Sequence, residues 1–425
     1  MPNRLHLTDS DRASLSGVEG EGTRLAMSIV TRMAEVVEAP RLLDITAAHI
    51  DSSLYQGPAT LEFAERLASG GARVRVPSTL NVSGVDPSGW REWAVPEDWA
   101  EPARRQMEAY EQMGCLPSWT CAPYQTEARP ELGQQVAWGE SSAIVFANSV
   151  LGARTERYPD LLDICCAVTG RAPAAGLHLE ENRAGQILVD LSGIPEALGA
   201  EASFYPVLGH LVGRTVGDRI PVLDGLVAEP DEDDFKALGA AMASAGSVAL
   251  FHWVGRTPEA ADREAAFHGR EPETKVRPTL AELRAARDDL GHGLVEADGL
   301  DLVVLGSPHF SLAEFATLAT LVEGRRRHPS TRMLITTSRA VRQIAESAGH
   351  LSAVERFGAE LTVDTCILTS PMLPEEIRRL MTNSAKYAYY TPGLLGRAIA
   401  FGSLTDCVES ACAGRVLRDD GPWTS

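Results

Sequence analysis

The chain has 425 residues, 44% of them hydrophobic and 23% charged, which is typical of a globular protein with a well-buried core. Its formal net charge of −19 argues against nucleic acid or an anionic membrane as a partner, because both bind basic surfaces. The sequence has no apolar run of the ~18 residues that span a membrane and no apolar export signal at the N-terminus, so we expect a cytoplasmic protein. We therefore expect its seven cysteines to be reduced thiols or metal ligands.

Hydrophobic periodicity predicts helices and strands that alternate along the chain. The first module has a helix over 22–38, a strand over 41–50, a helix over 59–71 that ends in glycines, and a strand over 72–77. The second has strands at 185–191, 219–226 and 247–253 with helices at 197–212 and 232–245. The third has strands at 300–308, 332–338 and 359–367 with helices at 311–323, 338–347 and 374–381.

This alternation predicts an α/β fold built from several modules with mostly parallel sheets, in which function lies at the carboxyl ends of the strands. We divide the chain into a first module (1–130), a second module (131–254), a charged connector (255–297) with an exposed helix near 279–290, a third module (298–390) and a C-terminal segment (391–425).

The stretch 138–157, "WGESSAIVFANSVLGARTER", is the richest in polar groups. Glu140, Ser141 and Ser142 precede an apolar run, and Asn148 and Arg154 follow it. Surface turns with a helix N-cap would explain such a pattern. The same groups are also those that bind a carboxylate, a hydroxyl and an ammonium together.

Two further polar stretches follow predicted strands of the third module. In "SPHFS", Ser307 and His309 come before Ser311, a plausible N-cap, while a lone histidine is more often simply hydrogen-bonded than catalytic. In "VDTCILTS", Cys366 lies at a strand end, and topology predicts Ser307 as its neighbour.

Lys386 and Cys121 each have a structural and a functional interpretation. Lys386 lies among tyrosines in "TNSAKYAYYTP", where it either extends to solvent or binds a carboxylate in a cleft. Cys121 lies in the loop "LPSWTCAPYQ", directly before a Pro-Tyr step that stops a helix. A buried structural thiol would need no such loop, whereas a thiolate that binds a metal would. Cys165, Cys166, Cys407 and Cys412 lie in helical patterns and are expected to pack in the core.

A series of stretches in one order resembles the large subunit, or catalytic core, of aconitase X, a branch of the aconitase superfamily. The stretches are "HIDSSLYQG", "VPSTLNVSGVD", "TCAPYQ", "WGESSAIVFANSVLGART", "GLHLEENR", "HWVGRTPEA", "GSPHFSL", "DTC" and "TNSAKYAYY". The resemblance runs essentially end to end. It implies aconitase-like α/β modules around a central cleft.

The resemblance also implies an iron–sulfur dehydratase that acts on a small hydroxy acid. Two activities are associated with the family, dehydration of cis-3-hydroxy-L-proline to Δ1-pyrroline-2-carboxylate and dehydration of mevalonate 5-phosphate. Cys121 and Cys366 match the cluster ligands. Ser307 departs from the family, in which this position is commonly cysteine, so the resemblance leaves open a two-iron (2Fe–2S) cluster, Cys115 as replacement ligand, or no cluster.

Residue roles in the expected dehydration follow from the resemblance. Arg154 and Lys386 are expected at the substrate carboxylate, and Glu140, Ser141 and Asn148 at the ring nitrogen and hydroxyl. His178 and Asn81, in two of the matching stretches, are further candidates for substrate binding.

The resemblance says less about the catalytic base and about a partner subunit. The superfamily also uses a small swivelling β-rich domain that nothing in this chain resembles, so we expect a separate small subunit and a heterodimer. The base is then a serine of that subunit, or Ser142 or His309 of this chain, with Lys386 as a third candidate for a catalytic role.

Three alternatives compete with the proline dehydratase. The phosphomevalonate reaction would need a clamp of Arg, Lys and helix N-termini for the phosphate, and the sequence has no Gly-rich phosphate loop. The serine at 307 motivates a cluster-free binding protein of the same fold. A thiol enzyme would use Cys121 with His178 or His309 as base.

Overall fold

The strands of the chain form four sheets, as seen in a computed structural model that describes residues 5–424. Three of the sheets are parallel, with strands joined through helices, and the fourth is a two-stranded antiparallel pair. The expectation of α/β modules with mostly parallel sheets is confirmed. Each parallel sheet belongs to one of three successive parts of the chain, which we call the first, second and third units.

The first unit ends before residue 185. Its helices are α1 (Asp9–Ser16), α2 (Glu21–Val36), α3 (Pro58–Ser69), α4 (Glu97–Gln112), α5 (Ser141–Phe146) and α6 (Leu162–Thr169). Its strands are β1 (Leu42–Asp44), β2 (Ala47–Ile50), β3 (Ser78–Leu80), β4 (Val136–Trp138) and β5 (Arg171–Pro173). The parallel sheet has the order β3-β2-β4, and β1 pairs with β5. Val136–Trp138 therefore lies in the first sheet, although its residues fall within the predicted second module (131–254).

The strand predicted over 72–77 is wrong. This segment is irregular, because the N–H groups of Val74 and Arg75 donate to the carbonyls of Met113 and Ala167, at the ends of helices, instead of to a strand. The alternating pattern therefore reflects packing against helix ends, and β3 begins one residue later at Ser78.

The second unit contains the sheet β8-β7-β6-β9. Its strands are β6 (Ile187–Asp190), β7 (Pro221–Asp224), β8 (His252–Trp253) and β9 (Thr274–Val276), and its helices are α7 (Glu196–Gly199), α8 (Phe204–Val216), α9 (Glu232–Gly246), α10 (Arg263–Ala266) and α11 (Leu280–Asp289). The expected connector thus contributes an edge strand, β9, to this sheet. Its predicted helix is confirmed as α11.

The third unit contains the largest sheet, with the order β12-β11-β10-β13-β14 and every pair parallel. Its strands are β10 (Leu302–Leu305), β11 (Arg332–Thr337), β12 (Glu360–Val363), β13 (Arg379–Thr382) and β14 (Ala398–Phe401), and its helices are α12 (Leu312–Val322), α13 (Arg339–Ser347), α14 (Leu351–Phe357), α15 (Ala385–Leu395) and α16 (Leu404–Ala413). The helix predicted over 374–381 is wrong. Leu380 and Met381 are fully buried in β13 between two other strands, and this position in the sheet overrides the helical pattern.

The carboxyl ends of two sheets face one cleft. Strands β2, β3 and β4 of the first unit and β10, β12 and β13 of the third unit are each followed by a loop or helix start that lines it. Parallel strands place their carboxyl ends on one edge of their own sheet, so topology groups three segments in each unit, and the packing of the two units brings the two groups together.

Candidate active site

A cavity of about 540 Å³ lies between the first and third units. Most of its polar lining comes from the segments that follow the six strands: Asp51 after β2, Asn81 after β3, Glu140 after β4, Ser307 after β10, Cys366 after β12 and Lys386 after β13. Cys121 from a separate loop, Gln56 and Thr369 complete it. None of the lining residues belongs to the second unit. Apolar and aromatic side chains complete the wall: Leu54, Tyr55, Val82, Trp99, Leu368, Tyr390 and Leu394.

Glu140 and Lys386 form a buried ion pair across the two units. Lys386 Nζ lies 2.5 Å from Glu140 Oε1, and the other carboxylate oxygen accepts from Ser142 Oγ at 2.5 Å and from the N–H of Ala143 at 2.8 Å. Burial opposes the charged carboxylate, but the Lys386 ammonium and these hydrogen bonds outweigh it and lower the pKa of Glu140. Burial likewise opposes the ammonium, and Glu140 outweighs it and raises the pKa of Lys386. Both groups are therefore charged at neutral pH.

Asp51 is a second carboxylate on the same wall. Its backbone N–H donates to Asp163 Oδ2 at 2.6 Å, and Asn81 Nδ2 donates to its Oδ1. Burial and the nearby Glu140 and Asp163 carboxylates raise the pKa of Asp51 to about 7. Gly139 is needed beside it, because a Cβ there would collide with both Asp51 and Asp163.

Cys121, Ser307 and Cys366 come together in the cavity wall from three loops. Both thiols are buried, and burial raises the pKa of each, that of Cys121 to about 12. Gly306, with φ of 97°, adopts a left-handed conformation directly before Ser307 that favours glycine. The neighbourhood that topology predicted for Ser307 and Cys366 is therefore present.

His309 connects the two cysteine loops from behind. Its backbone N–H donates to Cys121 Sγ at 3.2 Å, while Nδ1 lies 3.1 Å from Thr120 Oγ1 and Nε2 lies 3.2 Å from the carbonyl of Thr365. The side chain is fully buried, and burial lowers the pKa of His309 to about 4. Both ring nitrogens therefore have partners, which favours a positioning role, and the expected role of His309 as a base stays a prediction.

Ser142 and Ser141 lie next to Glu140, and their expected roles in catalysis and substrate binding stay predictions. Neither lines the cavity. Ser142 is buried and holds Glu140, while Ser141 is the first residue of α5, where the carboxylate of Glu140 serves as N-cap. The polar start of the stretch 138–157 therefore contributes one cavity group, Glu140, and its supports.

Asn148, Arg154 and His178 lie outside the cavity lining, so their expected substrate contacts stay a prediction. Asn148 is buried and binds the backbone of Thr155 at both polar atoms. Arg154 pairs with Glu180, and His178 bonds to Gln135 and Tyr158. Neighbouring loops thus hold Asn148 and His178, whereas Arg154 Nε is buried without a hydrogen-bond partner among the described residues.

The cysteines other than Cys121 and Cys366 do not reach the cavity. Cys115 is buried in the hydrophobic core of the first unit, where burial and nearby Asp163 raise its pKa to about 12, so it does not replace the missing thiol at 307. Cys165 and Cys166 in α6 and Cys407 in α16 are buried in cores, as expected, and Cys412 is partly buried.

The wall around Cys121 and Cys366 offers part of a metal-ligand set. Within residues 5–424, no group of three or more His, Cys, Asp and Glu side chains is arranged to hold a metal ion. The third donor of this wall is the hydroxyl of Ser307. Two thiols and one hydroxyl fit iron, with the hydroxyl as the harder and weaker partner.

Three family models match the chain in succession. They are described as Aconitase X first domain over residues 4–181, Aconitase X second domain over 185–288 and Aconitase X third domain over 300–413. The chain belongs to the aconitase X family. The resemblance found in the motifs is thereby confirmed.

The relatives of this aconitase X chain fall into two groups by name. Cis-3-hydroxy-L-proline dehydratase of Pseudomonas aeruginosa is 51% identical and spans 98% of this chain and 71% of the relative. The protein of the same name from Hypocrea jecorina is 46% identical, over 96% of this chain and 69% of the relative. Phosphomevalonate dehydratase large subunit of Methanothermobacter thermautotrophicus is 35% identical, over 92% of this chain and 95% of the relative.

The fold agrees with a solved structure of the family. The crystal structure of Thermococcus kodakaraensis aconitase X in its holo-form matches with a TM-score of 0.85 at 31% identity, over 96% of this aconitase X chain and 100% of that chain. None of the helices within residues 5–424 has the length and apolar character needed to cross a membrane.

Asp51 is the cavity residue that sequence reasoning missed. It lies in the quoted stretch "HIDSSLYQG", directly after β2, so the rule that places function at strand ends would have found it.

Proposed function

We propose that the chain is the catalytic subunit of a hydro-lyase that dehydrates cis-3-hydroxy-L-proline to Δ1-pyrroline-2-carboxylate. The observation that carries the proposal is the 51% and 46% identity to two proteins named for this reaction, against 35% for the phosphomevalonate relative. The relatives share the name dehydratase, which supports the hydro-lyase class for either substrate.

The charges of the cavity favour the amino acid over the phosphate ester. Among the described residues that line it, Asp51 and Glu140 are carboxylates, and Lys386 is the one cation. A phosphate would need several cationic or N–H donors. The ring ammonium of hydroxyproline instead suits a wall with an excess of carboxylates.

The reaction removes the Cα proton and the hydroxyl on the neighbouring carbon. The enamine formed by loss of water then tautomerises to the imine. Lys386 stays protonated and presents an ammonium to the substrate carboxylate, while Glu140 keeps that ammonium in place. The apolar side chains of Tyr55, Trp99 and Leu368 exclude water around the ring.

Iron bound at Cys121 and Cys366, beside Ser307, would supply the Lewis acid that a hydroxide leaving group needs. His309 keeps the loops of the two thiols together through Thr120, Thr365 and the N–H bond to Cys121. These hydrogen bonds would suit a cofactor held by few thiols, because they fix the positions of the two thiol loops.

We further propose a small partner subunit that closes the cavity. The phosphomevalonate relatives are named large subunits. Leu394 at the cavity wall is 63% exposed, and with Tyr390 it forms an apolar patch that a partner would cover. The base that removes the Cα proton is expected from this partner, because His309 and Ser142 are committed to hydrogen bonds behind the wall.

The test is turnover of the iron-reconstituted protein, with its co-purifying partner, on cis-3-hydroxy-L-proline and on mevalonate 5-phosphate. We expect the pyrroline product, detected by reduction to proline, from the first substrate and no product from the second. Turnover of mevalonate 5-phosphate alone would replace the proposal by the other activity of the family.

The thiol enzyme finds no support in the site. Its two possible bases are His178, which bonds to Gln135 and Tyr158, and His309, with ring nitrogens that face Thr120 and Thr365 instead of Cys121. A thiol without a base and with a raised pKa is a poor nucleophile.

A further inference from the structure

One buried hydrogen-bond acceptor of the cavity wall, Asn81 Oδ1, has no donor among the described residues. It lies beside the partly buried Asp51 carboxylate, to whose Oδ1 the Nδ2 of Asn81 donates, so Asp51 Oδ2 is left to accept from a ligand. Asn81 is 2% exposed, and a buried acceptor without a partner costs free energy. Both residues line the same cavity, so a ligand with two N–H groups would satisfy them.

The charge of Asp51 is also unbalanced. Glu140 has Lys386 as counter-ion, but Asp51 forms no ion pair within the described part of the chain. The groups that face Asp51 are the carboxylates of Glu140 and Asp163, the amide of Asn81 and, through its field, Lys386. A cation placed beside Asp51 would remove the imbalance.

The position of Asp51 is fixed by its neighbours. The Asp163 carboxylate accepts the N–H groups of Asp51 and Ser52 at 2.6 and 3.0 Å and the hydroxyl of Ser52 at 2.6 Å. Asp163 is thereby fully occupied and lies outside the lining, whereas Asp51 is only partly buried and faces the cavity. The chain thus presents one carboxylate and uses the other to hold it.

We propose that Asp51 and Asn81 form the subsite for the ring ammonium of cis-3-hydroxy-L-proline, an inference that rests on the proposed function. The secondary ammonium of a proline ring carries two N–H donors and one positive charge. Asp51 and Asn81 offer one acceptor each, and Asp51 supplies the opposite charge. The pair is therefore a determinant of specificity for an imino acid over a hydroxy acid without an amine.

The test compares two ligands that differ at the nitrogen. L-proline and cyclopentanecarboxylate share the five-membered ring and the carboxylate, and only L-proline has the ammonium. Binding of each to the full-length, iron-loaded protein is measured by calorimetry at pH 8. We expect the wild type to prefer L-proline by about 10- to 100-fold, the range of a charge-assisted hydrogen bond.

Asp51→Asn should reduce that preference to less than about 3-fold, because the amide keeps the shape and removes the charge. Asn81→Ala should lower the preference for L-proline by a smaller factor. This variant also tests the proposal if Asp51→Asn does not fold. Asp160→Asn, at an exposed turn, is the matched control and should retain the full preference.

Three results would overturn the subsite: no preference in the wild type, a preference that survives both substitutions, or loss of turnover in Asp51→Asn with the preference intact. The last result would assign Asp51 to proton transfer instead. The proposed function fails separately, when the wild type prefers L-proline through Asp51 but does not convert cis-3-hydroxy-L-proline.

Discussion

The backbone N–H of His309 donates to Cys121 Sγ at 3.2 Å, although 188 positions separate the two residues along the chain. The same histidine bonds through its ring to Thr120, beside Cys121, and to Thr365, beside Cys366. A single buried side chain thus sets the spacing of the two thiol loops. The residues before these threonines, Trp119 and Asp364, have φ of 42° and 65°, so both loops adopt left-handed backbone that the surrounding contacts must hold.

His309→Leu removes both ring contacts and should reduce iron retention about 10-fold, the usual effect of losing an outer hydrogen bond at a metal site. His309→Gln, which can replace one contact, should restore part of it. The measurement is iron per chain after gel filtration. Phenylarsine oxide, which binds paired thiols, gives a second measurement on the iron-free chain. Unchanged iron content and thiol reactivity in His309→Leu would show that His309 does not position the thiols.

The two cavity cysteines should differ from the core cysteines on substitution. Cys121→Ser and Cys366→Ser should each abolish bound iron and turnover and leave the circular dichroism spectrum unchanged. Cys165→Ser, the control, should keep both and lower the free energy of unfolding by about 1–3 kcal/mol, because it places a hydroxyl in an apolar core. If the Cys366→Ser variant binds iron as the wild type does, Cys366 is not an iron ligand.

The Glu140–Lys386 pair predicts strong coupling in a double-mutant cycle. Glu140→Gln and Lys386→Met should each lower the free energy of unfolding by about 3–5 kcal/mol, because each leaves one buried charge unpaired. The double variant should lose less than the sum and still lack turnover. Denaturant titration of the four proteins measures the coupling, and additive losses would mean that the two charges do not interact in solution.

Asp51 makes stability depend on pH in a defined direction. Its pKa is about 7 in the fold against an ordinary value of 3.8, so the folded state binds the proton more tightly. This contribution to stability is present below about pH 4 and is lost as the pH rises through 7. Asp51→Asn stays neutral, so its melting temperature should exceed that of the wild type at pH 8, with the difference shrinking at pH 5.

Scanning calorimetry at the two pH values measures this difference, with Asp160→Asn as the control that should follow the wild type. A difference between Asp51→Asn and the wild type that is the same at pH 5 and pH 8 would mean that Asp51 has an ordinary pKa.

The sequence predicted the features of the site that depend on topology. Ser307 and Cys366 lie in the cavity because each follows a strand of one parallel sheet, and these strand ends can be located from hydrophobic runs. Lys386 also follows a strand of this sheet, β13, but a helix was predicted there, so its place at a strand end is known only from the structure. Asp51 and Asn81 obey the same rule in the first unit. The rule does not reveal which unit faces which, since that depends on packing between helices distant in the chain.

The sequence could not separate cavity groups from their supports. Asn148, Arg154 and Ser142 are polar residues within the same twenty-residue stretch as Glu140, yet only Glu140 faces the cavity. A helix turns about 100° per residue, so Ser142 points behind the wall, and Asn148 is turned to a neighbouring loop. The sequence did not predict the strand β13 either. This strand is buried on both faces, so its residues lack the alternation of polar and apolar side chains that indicates a strand.

Ser307→Cys tests the structure of the cavity wall most directly. Ser307 lines the cavity with Cys121 and Cys366, so a thiol at this position would add a third soft ligand to the same wall. We expect slower loss of iron to a chelator, by about 10-fold or more, and a change in the charge-transfer absorption. Ser69→Cys, at an exposed position of α3, controls for the added thiol and should change neither. Iron release and absorption that are unaltered in Ser307→Cys would place the bound iron away from Ser307, and the assignment of this wall as the metal site would be wrong.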